Sequence, residues 1–270
     1  AQMLDRFLPE SKSRGRLFGK KTTIGLPRAS LMLEYLPFWA TLLDELGFLP
    51  VVADARAAGS RWIGEGLPPE VCLPLKIATA QVRHLLEVQK ADRVLLPSLL
   101  EIEGRHPGDR SYTCLYAQQL PDMARLSFGE ALLTPQLAIK DNTGLEREAI
   151  RAVSESLGAS TGRVKRAWRR AREQQAAFVA ARRDAGKEAL ESLRGAPETM
   201  GVVVLGKPYN LHEPTANLNL ARHLDRAGFS AIPMDMLPLE GEFLDGTWYM
   251  LAWQLNRDQV RGLQHAAASA

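Results

Sequence analysis

Two cysteines in 270 residues exclude a disulfide-built scaffold. With no secretory features beside them, they favour a reducing compartment, where thiols serve as metal ligands or plain core residues. Excess charge of one sign is also scarce: the formal net charge is +3, too small to argue for a nucleic-acid partner by itself. No long hydrophobic run is present, since the most apolar window, 35–52, carries Asp44 and Glu45 and cannot be a membrane span. The first residues, Ala1-Gln2-Met3-Leu4-Asp5-Arg6, lack the apolar stretch of a signal peptide, so a cytoplasmic protein is expected. Both this start and the closing Ala266-Ala267-Ala268-Ser269-Ala270 read as the ends of a fragment. Neither a Walker A loop nor a dinucleotide fingerprint occurs, and His84, His106, His212, His223 and His265 show no metal-ligand spacing. What remains, 46% hydrophobic and 24% charged residues, is an ordinary globular composition with room for two modest domains.

What the chain does have is a repeat. Gly25-x-Pro27, fifteen residues, Leu43-Asp44-x-x-Gly47-Phe48, five residues and Asp54 return as Gly206-x-Pro208, fifteen residues, Leu224-Asp225-x-x-Gly228-Phe229, five residues and Asp235. Each copy follows an apolar stretch and leads into another. The pattern predicts strand, Gly-Pro loop, helix closed by a C′ glycine, then strand, which is half of a doubly wound sheet. The expected class is therefore α/β, with two Rossmann-like parallel units and a ligand crevice where the strand ends of the copies face each other.

The first unit is expected over 1–120, with strands at Thr22–Gly25, Leu49–Ala53 and Asp92–Pro97 and a helix from Pro74 to about Glu87. A helical connecting segment is expected over 121–197. Asn142-Thr143 caps one helix ending near Gly158, and Ser160-Thr161 caps a longer one ending at Gly195. That long helix is dense in arginine, Arg182 and Arg183 included, and reads as a solvated face with Trp168, Phe178 and Leu190 supplying apolar contacts. RNA binding through it is the weaker reading. Gly195-Ala196-Pro197 is the expected hinge into an incomplete second unit over 198–270. That unit has strands at Met200–Leu205 and Ser230–Met234 and a final helix around Trp248–Leu263.

Chemistry has three candidate seats. Cys72 precedes a helix, whose positive N-terminal end stabilises a thiolate, and Cys114 lies beyond a strand's carboxyl end. Two thiolates on one rim suit an iron–sulfur cluster, but a cubane takes four ligands, and 41 intervening residues match no compact metal motif. Buried or inert cysteines are the alternative. The Gly-x-Pro loops offer Arg28 after the first strand and Lys207, Tyr209 and Asn210 after the second as holders of a phosphate or carboxylate; otherwise they only shape tight turns. His212 could serve in acid–base work. Asp54 and Asp235 hold equivalent rim positions, open to a capping or a catalytic role.

Ile24-Gly-Leu-Pro-Arg-Ala-Ser-Leu-Met-Leu-Glu-Tyr-Leu-Pro-Phe-Trp39, Pro69-Glu-Val-Cys72-Leu-Pro-Leu-Lys76 and Cys114-Leu-Tyr-Ala-Gln118-Gln-Leu-Pro121 resemble the cluster-binding part of proteins related to the 2-hydroxyacyl-CoA dehydratase activases. Leu205-Gly-Lys-Pro-Tyr-Asn210 and Pro233-Met-Asp-Met-Leu-Pro238 complete the set in the family order. The resemblance implies two Rossmann-like units joined by helices. It also implies an electron-accepting module served by an ATP-hydrolysing activase domain or subunit, with a [4Fe–4S] cluster and an acyl-CoA substrate. Carried over by position, Cys72 and Cys114 match the family's first two cluster cysteines. Two departures stand out: Leu115 replaces the proline that commonly follows the second cysteine, and a third cysteine is expected beyond Ala270. The alternative is a non-catalytic CoA- or nucleotide-binding scaffold.

Overall fold

The fold is that of a computed structural model, in which residues 2–9, 21–54, 61–104, 106, 109–140, 143–196, 198–239, 244, 248, 251 and 253–268 are described. The Asn142 cap and the Pro197 hinge lie outside them.

A short α1 (Gln2–Asp5) precedes the first unit: β1 (Thr23–Leu26), α2 (Ser30–Glu34), α3 (Leu36–Glu45), β2 (Leu49–Val52), α4 (Leu73–Glu87) and β3 (Arg93–Leu95). β4 (Ser98–Glu101), α5 (Leu115–Phe128), β5 (Leu132–Leu133) and β6 (Gln136–Ala138) follow. Then come α6 (Thr143–Leu157), the long α7 (Thr161–Arg194), β7 (Gly201–Val204), α8 (Pro208–His212), α9 (Leu220–Arg226), β8 (Ser230–Pro233) and α10 (Gln254–Ala268). The principal sheet is parallel throughout, in the order β2-β1-β3-β5. Crossovers to β2 and then back past β1 to β3 put α3 and α4 on opposite faces, as right-handed connections require. Pro50 is tolerated because β2 is an edge strand: Leu49 and Ala53 donate to Thr22 and Leu26, which turns position 50 outward.

The α/β class and the repeat are as expected, and the repeat has a definite physical content. In both copies Leu-Asp-x-x-Gly-Phe is a Schellman helix end. Gly47 (φ 90°) donates to Asp44 and Phe48 to Leu43, and Gly228 (φ 83°) donates to Asp225 and Phe229 to Leu224. Only glycine takes that left-handed backbone without strain, so the motif is fixed by geometry wherever a strand must follow directly.

The purely helical reading of the segment after Pro121 is corrected by β5 and β6. β5 completes the principal sheet beside β3, and β6 pairs with β4. Pro97 and Pro135 interrupt both strands at the same level, and the ladder resumes through Ser98 N–H to Pro135 O, at 3.0 Å. Each β5 or β6 piece spans two or three residues, too short to carry an alternation.

The core gathers on α3 and α7. Trp39, Phe38 and Trp168 are buried and meet edge to face, with centroids 4.8 Å apart for Phe38–Trp168 and 4.9 Å for Phe38–Trp39. Among the described residues the second unit has only the parallel pair β7–β8, marginal by itself. It leans on α7, whose Ala189, Leu190 and Leu193 pack against Ile232, Met234, Leu237 and Leu239. Gly186 permits that approach: a Cβ there would collide with the Met236 carbonyl, so no larger residue fits without moving backbone.

Candidate functional site

Both cysteines cap helices. Cys72 is the N-cap of α4 and Cys114 the N-cap of α5, each in extended conformation and with no side-chain capping bond. At such positions the unpaired N–H groups and the helix dipole suit an anionic ligand. Each cysteine is anchored from behind. Lys76 Nζ donates to Pro69 O at 2.8 Å. Thr113 donates its hydroxyl to Leu99 O, and Gln118 Nε2 reaches Thr113 O at 3.1 Å and Leu100 O at 3.3 Å. Cys72 is exposed and Cys114 half-buried.

Tyr209 shares a pocket with Cys114. This side chain, the second residue of α8, is buried in the core of the first unit. Burial, then the charges of Cys114 and Cys72, push its phenol well above the usual range. Tyr35 is likewise raised, by burial and then by Glu34, Glu103 and Asp258. Of the five tyrosines, then, Tyr35 and Tyr209 are expected to stay protonated up to about pH 11 in the folded chain. An ultraviolet titration, native against denatured, checks this by the absorbance step released on unfolding.

Lys207 joins this site. With Tyr209, Cys114, Tyr112 and Trp253 it lines a small pocket, and its ammonium lies 5.9 Å from the Trp253 ring centre. Arg28 and Asn210 do not join. Arg28 pairs with Asp5 at 2.7 Å and lines a separate cavity near α7. Asn210 faces Leu211, Asn217 and the β7–β8 pair. The helices that follow the two repeat loops nevertheless meet, because α2 packs on α8.

The equivalent aspartates differ sharply. Asp54 is exposed, whereas Asp235 is buried and receives Arg182 at 2.9 Å and His212 Nε2 at 2.8 Å. Arg182 also forks onto both oxygens of Glu34 at 2.8 Å each. Burial alone would raise the Asp235 pKa, but Arg182 and His212 outweigh it and hold the carboxyl below the usual range. Likewise burial would lower Arg182, and Glu34 and Asp235 push it up instead. The solvated reading of α7 fails at this residue.

A crevice of about 410 Å³ is present, but it opens between the β4–β6 pair and the second copy, and no described residue at the carboxyl end of β1 or β2 lines it. Residues just beyond the carboxyl ends of β4, β6, β7 and β8 line it, namely Ile102, Ile139, Pro208 and Met234, together with one face of α7. Four carboxylates (Glu34, Glu103, Asp235, Asp258) face three guanidiniums (Arg172, Arg182, Arg183).

Two pairs of residues were not singled out from sequence. Tyr112 and Trp253 flank Cys114, and their backbones bridge. Arg257 and Arg261 of α10, both buried, hold Asp109 at 2.7 and 2.9 Å and so tie the loop before Cys114 to the last helix. An aromatic two residues before Cys114 was the available signal for Tyr112; the helix arginines look like any solvated face.

Among the described residues no group of three or more His, Cys, Asp or Glu is placed to hold a metal ion, and no helix is long and apolar enough to cross a membrane. No curated protein and no solved structure matches the chain. A family model, described as the CoA enzyme activase uncharacterised domain, matches residues 23–237. Both Gly-x-Pro loops, both cysteines and Asp235 fall inside that span, and the chain belongs to this CoA enzyme activase-related family.

Proposed function

We propose that the chain is an electron-accepting module in which Cys72 and Cys114 supply thiolate ligands to an iron–sulfur cluster. The observation that carries the reading is that each cysteine caps the N-terminus of a helix, with Cys114 sharing a pocket with Tyr209 and Lys207. The donor set fits a share of a cluster: two thiolates at the positive ends of two helices suit an anionic group, and a cubane takes four ligands, so the others come from outside the described residues. When bound, such a cluster supplies one-electron transfer at low potential. The protein's own part is to anchor the cysteines through Thr113, Gln118 and Lys76, and to place the Lys207 ammonium beside Cys114 for an anionic ligand. Arg28 and Asn210 have no part in holding that ligand.

The partner in this reading is an ATP-hydrolysing activase. Around the cysteines lie Leu73, Tyr112, Leu115, Tyr116 and Trp253, all exposed, and Leu115 is 64% so. A cluster of large apolar side chains beside a reactive pair is what a docking partner covers. The competing reading, a scaffold for CoA or a nucleotide, has the crevice in its favour. Its walls oppose it, since carboxylates outnumber guanidiniums there and Arg172 and Arg182 are already engaged by Glu103 and Glu34. Anaerobic reconstitution with iron and sulfide tests the proposal. Iron and sulfide bound in near-equal amounts, and lost in both Cys72→Ser and Cys114→Ser, are expected; iron retention in either variant contradicts it.

A further inference from the structure

We propose that the cavity between α2, α7 and the end of α8 binds a short-chain carboxylate and that His212 takes up a proton as it binds. The cavity measures about 260 Å³ and is walled by Met3, Leu4, Leu33, Phe178, Pro233 and Met236. Its polar groups are Arg28, Glu34, Arg182 and His212. A cavity of roughly 150 Å³ holds benzene, so this one accommodates an aliphatic chain of about six carbons. The inference goes beyond the cluster reading and is independent of it, because neither cysteine lines this cavity.

His212 supplies the chemistry. Its Nε2 lies 2.8 Å from Asp235 Oδ2. Asp235 is held ionised by Arg182, so its oxygens only accept, and in the neutral ring Nε2 carries the hydrogen. Nδ1 therefore holds the lone pair, and it has no hydrogen-bond partner among the described residues. The His212 side chain is 30% exposed and can be reached.

The charges facing His212 come from every neighbouring element: Asp235 after β8, Arg182 on α7, Glu34 on α2 and Arg28 on the first loop, with Asp5 behind it. Glu34 and Asp235 engage Arg182, and Asp5 engages Arg28. An incoming carboxylate thus needs one more positive charge. A solvent proton on Nδ1 provides it: one N–H bond forms, the imidazolium faces the carboxylate, and Nε2–H keeps its bond to Asp235. The hydrocarbon tail packs on the apolar wall.

Calorimetry of the whole chain with sodium hexanoate at about pH 8 tests this. Two buffers of different protonation enthalpy give the proton count. Saturable binding with uptake of about one proton is expected. His212→Gln keeps an N–H for Asp235 but has no basic nitrogen, so uptake should vanish and affinity should fall roughly tenfold or more. If that variant does not fold, Met236→Trp fills the cavity and should abolish binding. Absence of saturable heat, binding without proton uptake, or uptake unchanged in a folded His212→Gln protein overturns the proposal. Loss of iron binding at the cysteines would leave it intact.

Discussion

Replacing Arg182 with methionine is expected to destabilise the protein by about 3–5 kcal/mol at neutral pH. The guanidinium is buried between Glu34 and Asp235, whose side chains are only 16% and 2% exposed. Methionine fills the volume but leaves Glu34 without its charged partner and Asp235 with His212 alone. The pH dependence identifies the cause. In the native protein the Asp235 pKa is depressed, so its contribution is present above the unfolded carboxylate pKa and disappears as pH falls through the folded one. Without Arg182, burial dominates and raises the Asp235 pKa, so the neutral form is favoured and the variant regains stability on acidification. The deficit should therefore be largest near pH 8 and smaller near pH 5, about those values. Urea denaturation at the two pH values measures it. An equal deficit at both would mean that lost packing, not stranded charge, accounts for the effect.

Trp168→Ala is expected to cost about 3–5 kcal/mol, the range for deleting a buried aromatic from a well-packed core. Trp168 is 1% exposed and its ring is edge-on to both Phe38 and Trp39, at 4.8 and 6.4 Å. Each such contact adds roughly 0.5–1.5 kcal/mol beyond buried area. Its indole N–H has no hydrogen-bond partner among the described residues, so the loss is one of packing and should be independent of pH. The second unit should loosen as well, because α7 carries Trp168 at one end and the contacts to β8 at the other. Urea midpoints read together with near-ultraviolet circular dichroism would show both effects; a midpoint within experimental error of the native protein would contradict the assignment of this trio as the core.

Much of the architecture was legible because it is written in local rules. The repeated Leu-Asp-x-x-Gly-Phe is a helix terminator that depends only on its own six residues, and it locates the following strand in both copies. Caps and prolines likewise placed the ends of α4 and α7. β5 and β6 escaped because short buried strands beside Pro135 owe their conformation to β3 and β4 rather than to their own pattern. At the site, Cys114, Lys207 and Tyr209 could each be named from sequence, yet their meeting is a tertiary fact: α8 of the second unit inserts Tyr209 into the first. Arg182 was hidden for the opposite reason. It sits in a run of arginines that look alike, and only the packing of α2 and the turn after β8 distinguishes it. Asp54 and Asp235 show the same limit, being equivalent in the repeat but exposed in one copy and buried in the other.

The central claim is that Cys72 and Cys114 form one ligand site rather than two isolated thiols. Anaerobic titration with cobalt(II) measures this directly, because thiolate-to-metal absorption counts the sulfurs bound and does not require four protein ligands. One cobalt per chain is expected, with about twice the thiolate absorption that remains in Cys72→Ser or Cys114→Ser and with weaker binding in both variants. Wild-type protein that binds cobalt with the absorption of a single thiolate, or whose binding is unchanged in either variant, would contradict the convergence of the two cysteines.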